Sequence, residues 1–117
     1  MKISTRKVED VTLVDIGGQI ILGPETGQLR HMVHDLVSRG DKKIILNLAE
    51  VSYIDSSGLG ELIASYTTVR NQGGQLKLLN LNKKVQDLLL ITKLYTIFDV
   101  KENEYLAVKS FDWFFAK

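Results

Sequence analysis

The stretch IDSSGLGEL, residues 54–62, concentrates the side chains of this sequence that could take part in chemistry. It places the carboxylate of Asp55 and the hydroxyls of Ser56 and Ser57 directly before a run of apolar residues at helical spacing. Two glycines also fall at this helix start, although a glycine inside a helix costs about 1 kcal/mol relative to alanine. Helix formation alone does not explain two glycines and two serines at this position.

Two explanations follow from the residues alone. A serine at a helix start lies beside unpaired backbone N–H groups and the positive end of the helix dipole, where an anion is stabilised by about 0.3–1 kcal/mol. A phosphate would be tolerated there, with Gly58 and Gly60 allowing a second protein to approach and Asp55 and Glu61 adding negative charge. The first explanation is therefore a phosphorylation switch. The alternative is that the two serines only cap the helix while the glycines ease packing, and the residues alone favour neither.

Two enzyme classes are poorly supported by the same stretch. The sequence GLGELI (58–63) begins like a dinucleotide-binding fingerprint, but Ile63 stands where that motif requires glycine, and no G-x-x-x-x-G-K-[ST] motif occurs. A nucleophile elbow, G-x-S-x-G, needs a glycine two residues before the serine, which neither Ser56 nor Ser57 has. We therefore expect that the protein is not an enzyme and has no catalytic residues.

Other titratable side chains suggest metal or acid–base chemistry only weakly. His31 and His34 are three residues apart on a predicted helix, with Asp35 beside them, but a third convincing ligand is missing. A solvated helix face explains them better than a metal site. Glu50 and Asp55 could form an acid–base pair, but nothing nearby suggests substrate handling. The sequence predicts neither a metal nor a cofactor.

Composition narrows the class of protein further. The chain has 117 residues, enough for one domain, and its 15 basic and 14 acidic side chains nearly cancel. This balance removes the bulk attraction that supports direct nucleic-acid binding. There is no cysteine, so disulfides and thiolate metal sites are excluded. Without a signal-peptide pattern or an apolar stretch of about 18 residues, we expect a soluble cytoplasmic protein with no membrane contact.

Hydrophobic patterning predicts five strands and four helices in one α/β domain over residues 1–117. Strands that alternate with helices favour a mixed, mostly parallel sheet with helices packed against it, because parallel neighbours need crossover helices. The segment 19–24 is predicted to be extended, since the residue before Pro24 is disfavoured in a helix. The predicted strands are 2–9, 11–17, 42–48, 75–81 and 96–100, and the predicted helices are 24–40, 56–71, 82–93 and 103–115.

The core is predicted from the apolar faces of these elements. The second helix presents an apolar face at helical spacing, formed by Leu59, Leu62, Ile63, Tyr66 and Val69. Asn82 is the predicted N-cap of the third helix. Five leucines from strands and helices are expected to be mostly buried: Leu46, Leu48, Leu62, Leu78 and Leu88.

The end of the chain, FDWFFAK (111–117), is rich in aromatic residues and contains the one tryptophan. The favoured interpretation is a helix end that folds onto the core. The alternative is a surface for a partner or for a homodimer, because aromatic residues are enriched in such patches.

One family resemblance is specific. The run IILNLAEVSYIDSSGLGELIASYTTVRNQGGQLKLLNL (44–81) resembles the STAS domain family, in particular the bacterial anti-sigma factor antagonists. In that family a strand ending in NL, a short loop and DSSGLG lead into a helix, followed by GG and a strand. The resemblance continues through residues 82–100 and, weakly, into the N-terminal strands. One departure is Ile21, which stands where many members carry an aspartate near the serine.

The resemblance implies a STAS fold and a regulatory switch. Antagonists of this kind bind an anti-sigma factor that is also a serine kinase, of the GHKL type, and so release a sigma factor and regulate transcription. The kinase phosphorylates the serine after the aspartate, which here is Ser56, with Ser57 as second choice, and a PP2C-type phosphatase removes the phosphate. Asp55 would orient or present that serine. The implied partner-binding residues are Asp55, Ser56, Ser57, Gly58, Leu59, Gly60 and Glu61.

A second function stays open at this point. The chain could instead be a STAS domain that binds a small ligand, such as a nucleotide or a lipid, or a subunit of a transporter or signalling scaffold. The absence of a membrane span favours a free regulator.

Overall fold

The computed structural model describes residues 1–111, which form a five-stranded sheet with four α-helices and one short 3-10 helix. No helix within this part of the chain has both the length and the apolar character needed to cross a membrane. The strands are β1 Lys2–Val8, β2 Val11–Ile20, β3 Lys43–Ile54, β4 Gln75–Leu79 and β5 Asp99–Lys101. The α-helices are α1 Gln28–Ser38, α2 Ser56–Asn71, α3 Lys83–Ile91 and α4 Glu104–Lys109, and the 3-10 helix is Leu94–Thr96.

The sheet is mixed and mostly parallel, as the sequence predicts. Its strand order is β1-β2-β3-β4-β5, with β1 antiparallel to β2 and the remaining neighbours parallel. The β1–β2 pair is a hairpin, and each parallel pair is joined through a helix because its chain must cross back to the other end of the sheet. The carboxyl ends of β2, β3 and β4 therefore meet at one edge, from which α1, α2 and α3 begin.

Helices cover both faces of the sheet. Successive strand residues point to opposite faces, so Leu46 and Leu78 belong to the core beneath α1, α2 and α3, while Ile45 and Leu79 belong to a smaller core beneath α4. All four side chains are fully buried. This arrangement explains why the first half of β3 and most of β4 are apolar.

The predicted core is largely confirmed. Four of the five leucines expected in it are fully buried, namely Leu46, Leu48, Leu62 and Leu78. Leu88 is half-buried and packs against the same core. The prediction was wrong for Ile63, which is exposed, and α2 instead buries Ser65 between Leu62 and Val69. Residues three and seven positions after Leu62 share its face of the helix, whereas the adjacent residue is turned away.

The first helix begins later than predicted. Residues 24–27 form a turn, and α1 starts only at Gln28. Gly27, with φ of +92°, has a left-handed conformation that an α-helix does not accommodate. The proline at position 24 therefore lies in the preceding turn instead of opening the helix.

The strand bounds also differ from the prediction. The pairing of β3 with β4 ends at Asn47, while β3 continues to Ile54 against β2 alone. A strand paired on one side needs no continuous apolar run, which is why the pattern missed this extension. The last strand was predicted at 96–100, but Thr96 is the last residue of the 3-10 helix and β5 is Asp99–Lys101.

The last helix is short and is held by contacts outside itself. Asn103 caps α4 by accepting a hydrogen bond from the Leu106 N–H at 2.9 Å. The Arg6 guanidinium on β1 donates to both carboxylate oxygens of Glu104, at 2.9 and 2.6 Å, and to those of Asp15, at 2.6 and 3.1 Å. The helix was predicted over 103–115; α4 ends at Lys109, and residues 112–117 lie outside the described part of the chain.

The predicted packing of the aromatic C-terminal end can be assessed at one residue. Phe111 is buried and belongs to the core beneath α4. Its ring faces the Nζ of the buried Lys77, which lies 4.5 Å from the ring centroid. The remainder of that end, 112–117, is among the residues that the structure does not describe.

The fold predicts a clear contrast between two helix leucines. Replacing the fully buried Leu62 with alanine removes core contacts and leaves a cavity, so we expect the free energy of unfolding to fall by about 2–5 kcal/mol. Leu90→Ala is the matched control, because Leu90 is largely exposed, and its cost should stay below about 1 kcal/mol. Urea unfolding followed by circular dichroism measures both. Equal losses would contradict the packing described here.

Candidate functional site

The serine pair lies at the carboxyl edge of the sheet, at the start of α2. Ser56 is the first residue of the helix and is exposed, while Ser57 is half-buried. The sequence predicted this position for Ser56 and a hydroxyl that solvent can reach. Both features agree with the structure.

Asp55 is the N-cap of α2. Its backbone is extended, with φ −94° and ψ −175°, and its Oδ1 accepts a hydrogen bond from the Gly58 N–H at 2.8 Å. Aspartate is among the best N-cap residues because its short carboxylate reaches an unpaired N–H of the first turn. The sequence left open whether the serines cap the helix. Asp55 makes the cap, so Ser56 is not needed for it.

The same carboxylate also holds the loop that follows β2. Its Oδ2 accepts a hydrogen bond from the Leu22 N–H at 3.0 Å, and the Asp55 N–H donates to the Ile20 carbonyl oxygen at 3.3 Å. One side chain thus joins two loops at the edge of the sheet. These hydrogen bonds fix the backbone at the start of α2, where Ser56 is the next residue, and the role of Asp55 in orienting or presenting that serine stays a prediction.

These hydrogen bonds alter the acidity of the carboxyl group. The backbone N–H groups of Leu22 and then Gly58 donate to the ionised form and hold the pKa of Asp55 below its usual value. The group is therefore a carboxylate throughout the neutral range. A negative charge lies next to Ser56 before any modification.

The two glycines serve different purposes. A Cβ on Gly58 would clash with the Ile20 carbonyl oxygen and lie 2.7 Å from Cγ2 of Ile54. Gly58 is buried, so its missing side chain lets α2 pack against the end of β2, not a partner against the serine. A Cβ on Gly60 would meet nothing within 4 Å, and this residue is exposed. Of the two, only Gly60 keeps open the surface that the sequence analysis expected of both.

Glu61 faces α1 and Leu59 faces the core, so neither side chain belongs to the surface around Ser56. The Glu61 carboxylate accepts a hydrogen bond from the Gly27 N–H at 2.9 Å and pairs with the Arg30 guanidinium at 3.3 Å. It therefore caps α1 from the neighbouring helix, and its charge is balanced by Arg30. Leu59 is 8% exposed and belongs to the core. The expected acidic pair around Ser56 reduces to Asp55 alone.

Exposed apolar side chains are present on the two chain segments that meet at the start of α2. Ile21 and Leu22, directly after β2, and Tyr53, near the end of β3, are all exposed. Ile21 and Leu22 are distant from Ser56 in the sequence, and the pairing of β2 with β3 and the hydrogen bond from Leu22 to Asp55 bring their segment to the start of α2. Tyr53 is three residues before Ser56 in the chain itself.

The other candidate residues do not form a site. His31 and His34 are exposed on α1, and the nearest carboxylate oxygen of Asp35 is 3.8 Å from the His34 Nδ1. Within residues 1–111, no three histidine, cysteine or acidic side chains are grouped so that they could hold a metal ion. Glu50 lines a groove between the start of β1 and the middle of β2, and Asp55 is not part of that groove.

The chain is similar in sequence to a known domain family and to proteins of known name. A profile of the STAS domain matches residues 2–107. The anti-sigma-B factor antagonist of Bacillus subtilis (strain 168) is 35% identical over 101 residues, which cover 86% of this chain and 90% of that protein. The motif that carries the resemblance described above lies within the matched region.

Solved structures show the same fold. The crystal structure of a Thermotoga maritima protein matches with a TM-score of 0.84 at 25% identity, covering 92% of each chain. The Bacillus cell fate determinant SpoIIAA in its phosphorylated form matches with a TM-score of 0.72 at 18% identity, covering 93% of this chain and 98% of that one. At these identities the architecture is shared although most side chains differ.

Substitution of the two glycines separates their roles. Gly58→Ala forces a methyl group onto the Ile20 backbone, and we expect a loss of about 1–3 kcal/mol or more in the free energy of unfolding. Gly60→Ala adds a methyl group in open space within a helix and should raise stability by about 0.5–1 kcal/mol. Thermal unfolding of the two variants beside the parent measures both signs. A stabilising Gly58→Ala would show that α2 does not pack as described.

The Asp55 cap predicts a specific pH dependence. A carboxyl group whose pKa is lowered by folding contributes stability above its unfolded-state pKa, and that contribution is lost as pH falls through the folded-state value. Asp55→Asn removes the ionised acceptor. We expect the stability difference between parent and variant to be constant near neutral pH and to shrink below about pH 4. Urea unfolding across this range is the measurement, and a difference that grows on acidification would contradict the assignment.

Proposed function

This chain belongs to the STAS domain family, and from that premise we propose that it is an anti-sigma factor antagonist switched by phosphorylation of Ser56. The observation that carries the proposal is the exposed Ser56 at the first position of α2, beside a cap that does not use its hydroxyl. The relative from Bacillus subtilis is named for antagonism of an anti-sigma factor. The names of the relatives favour this function over the small-ligand alternative.

The proposed switch is a phosphoryl transfer carried out by the partner. A serine kinase transfers the γ-phosphoryl group of ATP to the Ser56 Oγ; the new Oγ–P bond forms as the bond to the ADP oxygen breaks. The serine proton passes to a base of the kinase. The structurally related SpoIIAA is described in a phosphorylated form, which supports the class of modification. The chain itself supplies a presented hydroxyl and a rigid backbone.

The phosphate would be stable where it is formed. It would lie at the N-terminus of α2, a helix of 16 residues whose first N–H groups and dipole favour an anion. The added charge of about −1.5 to −2 would stand next to the Asp55 carboxylate. Glu61 does not contribute to this charge, because Arg30 already balances it. The fold therefore accepts the phosphate while the local surface becomes strongly negative.

This change in charge explains how binding would be switched. An unphosphorylated surface of apolar side chains around a serine can be covered by a partner at low cost. After phosphorylation, the same contact would have to desolvate two neighbouring negative charges, and binding is opposed. The anti-sigma factor is then released to hold its sigma factor.

The remaining partners belong to the same proposal. The kinase is the anti-sigma factor itself, of the GHKL type, and a PP2C-type phosphatase restores the serine by hydrolysis of the phosphate ester, in the cytoplasm. Ser57 is the second choice for phosphorylation, and its half-buried position makes it the poorer acceptor.

Matched serine variants test the switch. Ser56→Ala should fold with a loss of at most about 1 kcal/mol, bind the cognate kinase, and accept no phosphate. Ser57→Ala is the control and should be phosphorylated like the parent. Ser56→Asp should weaken kinase binding in part, because an aspartate carries less charge than a phosphate. Labelling with radioactive ATP and calorimetric titration measure transfer and affinity.

The contrary results are equally specific. Labelling of Ser57 or of a distant residue in the parent would move the switch elsewhere. Binding of Ser56→Asp as tight as that of the parent would show that charge at this position does not control the contact.

A further inference from the structure

A second surface feature lies beside the proposed switch. A groove of about 320 Å³ runs between the end of β3 and the side of α3. We call it the α3 groove; it is lined by Tyr53, Ile54, Val85, Leu88 and Ile91, with Lys84 and Asp87 completing the lining. Its floor is apolar, and its polar side chains come from the first two turns of α3.

The apolar side chains at this groove are unusually open to solvent. Ile91 is 79% exposed, its neighbour Leu90 57%, and Tyr53 48%. Single exposed apolar residues are common on protein surfaces, but apolar side chains gathered in a groove with a polar rim are typical of interaction sites. Leu88 and Val85 form the inner wall and connect the groove to the core.

The groove is continuous with the Ser56 site. Tyr53 and Ile54 end β3, and Asp55 alone separates them from Ser56. The amide of Asn82, which caps α3, donates to the Val51 carbonyl oxygen at 2.8 Å and ties the start of α3 to β3. Both features therefore belong to one rigid edge of the domain.

A stable contact with the kinase needs a larger surface than Ser56 and its cap provide. A stable protein–protein contact buries roughly 800 Å² on each partner, far more than one serine and its cap can offer. Tyr53 is exposed, lines this groove and is three residues before Ser56 in the chain, so the groove can extend the contact area beyond the serine.

We propose that the α3 groove is the second part of the docking site for the kinase that phosphorylates Ser56. This inference rests on the proposed function and deepens it. The groove would take an apolar side chain of the kinase, with an acidic group of the kinase opposite Lys84. The groove supplies affinity in both states of the switch, and the charge at Ser56 decides whether that affinity suffices.

Two groove variants and two matched controls test the inference. Ile91→Gln and Tyr53→Ala alter exposed side chains of the groove, while Leu106→Gln and Tyr105→Ala make comparable changes at exposed residues of α4 on the other face of the sheet. With the purified cognate kinase, we expect each groove variant to raise the Kd about tenfold and each control to leave it within about twofold. Melting temperatures should stay close to that of the parent for all four.

A combined variant checks that the two parts act separately. In Ser56→Asp/Ile91→Gln, the factors by which each change raises the Kd should multiply, since charge at the helix start and packing in the groove are distinct terms. Phosphate transfer should proceed as in the parent in Leu106→Gln, because this residue of α4 lies outside both parts of the proposed site.

The outcomes separate the inference from the function on which it rests. A parent chain that does not bind the kinase would overturn both. Normal kinase affinity in both groove variants, with a parent that binds, would overturn the groove alone. If sedimentation shows a dimer of the parent that Ile91→Gln dissociates while kinase affinity is unchanged, the groove belongs to a second copy of this chain and the inference is wrong.

Discussion

The bidentate use of the Asp55 carboxylate is the constraint on which the site depends. One oxygen caps α2 at Gly58, and the other holds the N–H of Leu22. Two chain segments separated by more than 30 residues are thereby fixed to each other at the edge of the sheet. Asp55, the residue before Ser56, supplies the N-cap of α2. Ser56 can therefore be the first residue of the helix without capping it. Asp55 thus stabilises the helix start, while the adjacent Ser56 is left for the proposed phosphorylation.

The close packing of Gly58 against Ile20 adds rigidity to this arrangement. The start of α2 has no space in which to shift, since even a methyl group would collide with the backbone of β2. The proposed phosphorylation of Ser56 would therefore change mainly the charge of this surface. Charge effects between exposed groups fade over about 8 Å at physiological ionic strength, so the signal would be read by a partner in direct contact. The proposed switch would therefore act only on a partner that touches the start of α2.

Sequence reasoning succeeded where the determinants are local and failed where they are distant. Leu62 and Val69 follow from helical spacing, and Asn82 follows from the preference of a helix start for a short polar acceptor. The role of Gly58 could not be predicted, because the atom it avoids belongs to Ile20, far back in the chain. The partner of Glu61 could not be predicted either, because Gly27 lies at the start of a different helix, α1. The sequence therefore indicated a surface charge at Glu61. The extension of β3 was missed because residues 49–54 pair on one side only and, with an irregular register, bury just Val51 and Ile54, so they show no strand periodicity.

The bridge from Arg6 to Glu104 has a consequence for the kinetics of folding. It joins residues 98 positions apart, so forming it closes a loop of almost the whole chain. Loop-closure entropy rises with length, and such a contact becomes favourable only after the intervening sheet has assembled. We therefore expect α4 to pack onto the sheet last in folding, after the strands have paired. Local detachment of α4 would expose the small core that contains Ile45 and Leu79. The opposite face of the sheet, which carries α2 and the proposed switch, would remain folded.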